Sequence, residues 1–327
     1  MKHKHLLPIM LAAICSQATW SQKLTVQGNA LQPGDRIVKQ QVEYKEPGPT
    51  GRSLLWDFRD LKPVNKEYIL DYFIPDSMRM DTICGLEHRT HYLYSRKNDC
   101  VRALGFENAT TRMEYSKPEM RLRFPFAYGD SLYSEFEGKG QYSHRLDLDV
   151  KGYTSVKADA EGDLKFPGSQ IVKKALRLHT RRYYTETGKD SLEMTFDTYA
   201  WYAEGVRYPV FESVQTNLIR HANGADTQVG DTTVFSTSFY YPPEKQTSST
   251  DDASAEQPQP TLIPTGAEAV FTEANITPNP VIDNIHISYK LTRPAQIWFS
   301  VHNSIGIPVR TTPPLDKPEG YNSIEIN

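Results

Sequence analysis

The chain has 327 residues, with 37 Lys and Arg against 40 Asp and Glu, and a formal net charge of −3. No basic block gathers enough charge to track phosphates, which argues against nucleic acid as a partner. No apolar run approaches the ~18 residues of a membrane span, and the length suits roughly two domains.

The first predicted element is an export signal over residues 1–21. Lys2 and Lys4 precede an apolar core at 6–14, and Thr19 and Ser21 flank Trp20, the layout of a cleavable secretory signal. Cys15 follows Ile14 where a lipoprotein signal carries a small residue, so no lipid anchor is read there. Removal of the signal leaves 306 residues, 35 basic against 40 acidic, with a net charge of −5. The mature chain is expected to be secreted or at the cell surface, with the periplasm as the alternative.

From 22 to 241 the chain reads as one β-rich domain. Alternating or β-rich runs fall at 37–44, 54–58, 67–73, 88–94, 101–106, 120–126, 142–150, 171–180, 194–202, 210–219 and 234–241. Turn chemistry separates them at Pro47-Gly48-Pro49, Lys97-Asn98-Asp99, Gly129-Asp130, Gly162-Asp163, Pro167-Gly168, Gly188-Lys189-Asp190 and Asn223-Gly224. This spacing is that of an all-β sandwich or barrel, and a large β-sandwich-like domain is expected. The stretch 169–179 fits a helical face about as well as a strand.

Residues 242–266 change to Pro, Ser, Thr, Gln, Asp and Glu, which bury too little apolar surface to offset the entropy of ordering. A flexible linker is expected there. Beyond it, 267–327 reads as a small β module, with alternation at 285–291 and 296–301. Outside the signal, Cys84 and Cys100 remain, and an oxidising compartment would join them. A chain folding back at 96–99 would instead bring residues near Thr111 opposite Cys84, so spacing leaves the disulfide open.

The carboxyl end carries Pro278-Asn279-Pro280 before a first strand, then Ser304-Ile305-Gly306 followed by an apolar run. This resembles the C-terminal sorting domain of Bacteroidetes type IX secretion cargo. The resemblance implies an Ig-like sandwich and the type IX secretion machinery as partner, with Pro278, Asn279, Pro280 and Gly306 as the sorting motif. Such domains close with a further strand bearing a Gly-x-Tyr-like signature and a basic end. Here the chain stops at 321–327, so the module is expected to be incomplete at its carboxyl end. The segments 123–131, 158–168 with 174–180, and 199–210 are similar to a trio recurring in uncharacterised exported Bacteroidetes proteins. They read as architecture, with a turn at Gly162 and with Leu164, Phe166, Leu176 and Trp201 as apolar anchors.

Gly129-Asp130-Ser131-Leu132 resembles the nucleophile block of the esterase family named for those four letters, and Asp283-Asn284-Ile285-His286 matches that family's Asp-x-x-His. The resemblance implies Ser131 as nucleophile, His286 as base and Asp283 as its orienter. The motif needs a strand followed by a helix, whereas Phe124-Pro125-Phe126 precedes it and Glu137-Gly138-Lys139-Gly140 follows. A turn is therefore the favoured reading. Glu87, His88 and His91 are read as ordinary surface groups, because residues 88 and 91 of a strand point to opposite faces. Asp147 and Asp149 are read as a solvated strand face. No catalytic residue, metal site or cofactor is expected.

Aromatic pairs at Tyr92/Tyr94 and Tyr199/Trp201, each i, i+2 on one strand face, would form a platform for sugar faces if exposed and part of a core if buried. Core packing is the favoured reading. The function expected is that of a noncatalytic exported protein binding a glycan or a protein. Two alternatives are an esterase acting through Ser131 and a structural envelope component. Mass spectrometry of the mature protein should find Gln22 as its first residue. An envelope-associated chain retaining Met1 would contradict the export reading.

Overall fold

The computed structural model describes residues 22–75, 82–188, 191–221, 231–246, 270–277, 284–302 and 308–326. The signal lies outside them, as do 247–266 of the expected linker and Pro278, Asn279, Pro280 and Gly306 of the sorting motif. Nearly every described element is a strand. In chain order they are β1 (Lys23–Leu24), a one-turn helix α1 (Val26–Asn29), β2 (Arg36–Val42), β3 (Gly51–Asp57), β4 (Tyr68–Phe73), β5 (Thr82–Glu87), β6 (Thr90–Lys97) and β7 (Cys100–Glu107). There follow β8 (Thr111–Arg123), β9 (Phe126–Ala127), β10 (Ser131–Tyr142), β11 (Leu146–Lys165), β12 (Ile171–Thr187), β13 (Ser191–Tyr202), β14 (Pro209–His221) and β15 (Asp231–Tyr240).

Twelve of these strands close into a ring. The order is β2, β4, β5, β6, β7, β8, β10, β11, β12, β13, β14 and β15, with β15 returning to β2 and every neighbouring pair antiparallel. The expected sandwich-like sheet thus closes on itself as an up-and-down barrel. The β10–β11 pairing joins its two halves through twelve successive residue pairs, Ser131↔Lys157 to Tyr142↔Leu146. The stretch 169–179, ambiguous in sequence, lies mostly in strand β12, after a 3-10 turn at Pro167–Ser169.

Alternation sets the two faces of the ring. Along β11, Leu148, Val150, Thr154 and Val156 are buried inward, while Asp147, Asp149, Lys151 and Lys157 face water. The register shifts between Ala158 and Ala160, and a one-residue bulge there reverses the phase. Ala158 belongs to the interior core, whereas Ala160 and Leu164 join a second core on the opposite face with Trp56, Phe58, Trp201 and Phe211. Strand β3 lies beside β11 here, the parallel pairing in this sheet. Gly162, expected to form a turn, lies inside β11, and a Cβ on it would come 2.1 Å from the Leu54 carbonyl oxygen.

The second core is fastened by Arg177, fully buried, whose guanidinium binds both Asp159 oxygens at 2.8 and 3.1 Å and donates to the carbonyls of Pro47 and Gly48. Its face lies over the rings of Trp56, Tyr199 and Trp201. The three segments resembling the exported-protein trio are neighbours, since Gly129 donates to the Ala158 carbonyl and Ala158 to that of Asp130, and Arg177 lies over Tyr199 and Trp201.

Packing continues into the first residues of the expected linker. Pro242 is buried, Lys245 pairs with Glu67 at 2.6 Å, and Gln246 donates to the Pro209 carbonyl at 3.3 Å. The C-terminal unit has its own core of Ile287, Tyr289, Leu291, Ile297 and Ile326. Its three-stranded sheet pairs β16 (Phe271–Thr277), β17 (Ile285–Leu291) and, as the last strand in chain order, β22 (Gly320–Ile326). Two ribbons complete it, β18 (Ala295–Ile297) with β21 (Leu315–Lys317) and β19 (Ser300–His302) with β20 (Pro308–Thr311). Residues 321–326, read as leaving the module without a final strand, thus lie in β22, seven residues paired along β17.

Arg177→Met should lower the free energy of unfolding by about 3 kcal/mol or more, because it leaves Asp159 buried and uncompensated. Arg177→Met combined with Asp159→Leu should recover most of that loss. Urea unfolding of both variants checks the pair, and equal destabilisation by the single and double changes would contradict it.

Candidate functional site: the barrel cavity

The inward faces of the ring do not fill its centre. A cavity of about 360 Å3 remains between the apolar cluster of Phe106, Met113, Phe136, Tyr184 and Phe196 and the cluster that includes Leu24, Ile37, Leu122 and Phe239. The amino-terminal segment packs into the second of these. Leu24, Ala30 and Leu31 are buried, Arg207 donates at 3.0 Å to the carbonyls of Gln27 and Ala30, and Arg96 donates at 3.1 Å to that of Leu31. Thr25 caps the short helix, accepting from the Gly28 N–H at 3.0 Å.

Three charged centres stand in the wall, the third being Arg207, 3.1 Å from Asp35. At the first, Glu119 is 1% exposed and accepts from Arg182 Nε through both oxygens at 3.1 Å, from Arg121 at 3.0 Å and from the Thr154 hydroxyl. Arg182 also donates to the Tyr115 hydroxyl at 3.0 Å, and its guanidinium lies 4.7 and 4.5 Å from the ring centres of Phe136 and Tyr184. Burial alone would raise the Glu119 carboxyl, but the two guanidiniums and the Thr154 hydroxyl hold it below its ordinary value. At the second, Lys39 Nζ lies 2.5 Å from Glu87 Oε1 and over the rings of Tyr68, Phe239 and Tyr241. Glu87 is likewise lowered against the cost of burial, chiefly by Lys39. Glu212 stands nearby and accepts from the Tyr241 hydroxyl.

Tyrosines dominate the rest of the wall, among them Tyr72, Tyr92, Tyr94, Tyr115, Tyr202, Tyr208 and Tyr241. Burial raises all their hydroxyls, Tyr94 to about 12 and Tyr72, Tyr92 and Tyr241 well beyond the ordinary range. They are neutral donors and acceptors at neutral pH. The cavity is therefore an apolar chamber with polar hydroxyls and three fixed charge centres, the composition of a small-molecule pocket.

The four aromatic residues singled out in sequence do not share a surface. Tyr92 and Tyr94 look into the cavity, whereas Trp201 is 0% exposed on the opposite face, between cavity-lining Ala200 and Tyr202 in sequence and packed on Trp56 and Phe58. Tyr199 is half-buried and stacks on His179 at 4.2 Å. A different aromatic row lies on the outer face, where Tyr153 sits 5.4 Å from Tyr133 and 5.6 Å from Tyr183.

Cys84 and Cys100 are buried free thiols, and burial pushes the Cys84 thiol up to about 12. A hairpin turn at His88-Arg89, both residues at positive φ, intervenes between them. Cys84 consequently aligns through Leu93 with Gly105, five residues along β7 from Cys100. That offset is roughly 16 Å, far beyond disulfide reach. Ser131 opens strand β10 after a turn in which the Asp130 carboxylate accepts from the Ala127 N–H at 2.8 Å. Its setting is strand, turn, strand, and His286 is on the C-terminal unit while Asp283 lies outside the described residues. Glu87 points inward to Lys39, the His88 ring lies 4.0 Å from that of Tyr68 and His91 is exposed, so the three do not converge. Asp147 and Asp149 are exposed, with Lys139 3.7 Å from Asp149.

The residues that sequence reading missed are Lys39, Glu119, Arg121 and Arg182. For Lys39 and Arg182 the signal is parity, whereas irregular register along β8 hides Glu119 and Arg121. Arg182 is in phase with Leu178 and Tyr184, and Lys39 with Ile37, which places a charge on the apolar side of a strand.

Because Glu119 titrates lower when folded, its contribution is complete above about pH 4.3, the ordinary Glu value, and is lost as pH falls through the folded value. Glu119→Gln should flatten the acid limb of melting temperature against pH and cost about 3 kcal/mol at neutral pH. An unchanged acid limb would contradict this assignment. No family model matches the chain, and no curated protein or solved structure does either, so the cavity is read from its own geometry.

Proposed function

We propose that the protein is an exported, noncatalytic binding protein whose barrel holds a small molecule. The observation that carries this reading is the cavity of about 360 Å3, which falls in the size range of ligand pockets. Twelve strands enclose more volume than eight, and eight already hold a small ligand in some barrels. The carboxylates Glu87 and Glu119 are each engaged by cations, and the wall tyrosines stay protonated, which suits binding better than proton transfer. On the same reading the C-terminal unit is an Ig-like sorting module that delivers the protein through the type IX secretion machinery to the cell surface or medium.

A second reading is favoured by the outer row of Tyr133, Tyr153 and Tyr183. Tyr133 is 62% exposed, and neighbouring rings at these separations offer a face to a sugar. One titration separates the two readings. The neutral apolar dye N-phenyl-1-naphthylamine should bind saturably with enhanced fluorescence. Ala200→Phe, which fills the cavity wall, should weaken it at least about tenfold, consistent with the cost of overpacking, while Tyr153→Ala should leave it unchanged. Dye binding insensitive to Ala200→Phe would overturn the cavity reading.

A further inference from the structure

We infer that the cavity selects a small organic anion, with the charged group of the ligand held on Arg121; this rests on the reading of the barrel as a small-molecule binder. The argument begins with a count of charges. Arg121 and Arg182 share one carboxylate, Glu119, so this centre carries one formal positive charge in excess. Arg182 is committed, through Nε to Glu119, through a terminal nitrogen to Tyr115, and through its faces to Phe136 and Tyr184. Arg121 differs. It reaches Glu119 through one N–H at 3.0 Å and keeps 43% of its side-chain surface accessible. That surface is cavity wall, because Arg121 lines the chamber beside Tyr94, Tyr115 and Tyr202.

A guanidinium aimed into a low-dielectric chamber, with excess charge and tyrosyl hydroxyls around it, is built to receive a carboxylate or a similar oxyanion. Elsewhere in the wall the sign reverses. Glu212 and Glu87 outnumber Lys39, and Arg207 is answered by Asp35, which leaves one formal negative charge. The chamber is thus polarised, and a ligand fits it with its anion at Arg121 and an apolar or hydrogen-bond-donating end toward Glu212. A neutral ligand would leave the excess charge at Arg121 unanswered.

The test compares two dyes that share one aromatic body. 1-Anilinonaphthalene-8-sulfonate carries an oxyanion, and N-phenyl-1-naphthylamine lacks it. The sulfonate should bind the wild-type protein more tightly, and Arg121→Gln should weaken it about tenfold or more, as for loss of a hydrogen bond to a charged group. The neutral dye should change less than about twofold. Arg121→Lys should fall between. Glu212→Gln, which leaves Arg121 in place, should tighten the sulfonate and leave the neutral dye unchanged, so the inference stays testable if Arg121→Gln does not fold. Equal weakening of both dyes by Arg121→Gln, or no response of the sulfonate to Glu212→Gln, would overturn anion selection while the cavity reading stands. Absence of saturable binding by either dye would overturn both.

Discussion

Closure of twelve antiparallel strands is the constraint from which the rest follows. An eight-stranded ring is just wide enough for its inward side chains to fill, and each added strand widens the bore. A ring of twelve has to plug its ends, line its centre with long side chains, or keep a void. This protein does all three. The amino-terminal segment packs Leu24, Ala30 and Leu31 into the interior cluster, while Phe136, Tyr184 and Phe196 pack in another cluster. Tyrosine and arginine side chains span much of the remaining width, and the cavity is what they leave.

The interior charges are costly guests of this geometry. Removing an ion from water costs several kcal/mol after relaxation, and a pair offsets this only when its hydrogen bonds are complete. Glu119 meets that condition, with three donors around its two oxygens, and Arg182 meets it with two acceptors and two ring faces. Arg177 and Asp159 meet it in the second core, where the same guanidinium also ties down the Pro47-Gly48 crossing. Apolar replacements could stabilise such sites equally well, so their presence in the chamber points to specificity rather than to stability. Arg121, with one bond and an accessible face, departs from the pattern at the place where a ligand would complete it.

Much of this architecture was legible in the sequence, and the illegible parts share a cause. Alternation located most of the strands, and Asn98-Asp99 announced its turn because Asn and Asp tolerate the left-handed backbone that a two-residue hairpin requires. His88-Arg89 adopts the same conformation with residues that do not advertise it, so the run 88–94 begins inside the turn, and a fold-back at 96–99 puts Cys84 opposite Thr111 where the structure has Leu93. Gly162 looked like a turn but serves close approach by Leu54. Closure through β10 and β11, the phase reversal near Asp159 and the meeting of Glu119 with Arg182 depend on pairing between strands, which periodicity within a strand does not encode. The cavity is a property of the ring, and no single strand carries it.

The two faces of the ring also decide what kind of barrel this is. A barrel embedded in lipid turns an apolar band outward and keeps its polar groups inside. Here the outward positions of β8, β10 and β11 carry Lys117 with Glu135, Lys151 with Glu137 and Lys139 with Asp149, all well exposed. Such pairs add little stability, but they make the outer face of these three strands polar. Apolar residues line the inside, together with hydroxyls and a few fixed charges, and those on the outer face beside β3 are buried in the second core. The proposed binding role rests on this contrast between charged outer positions and an apolar chamber, and within the chamber on Arg121 and the tyrosines beside it.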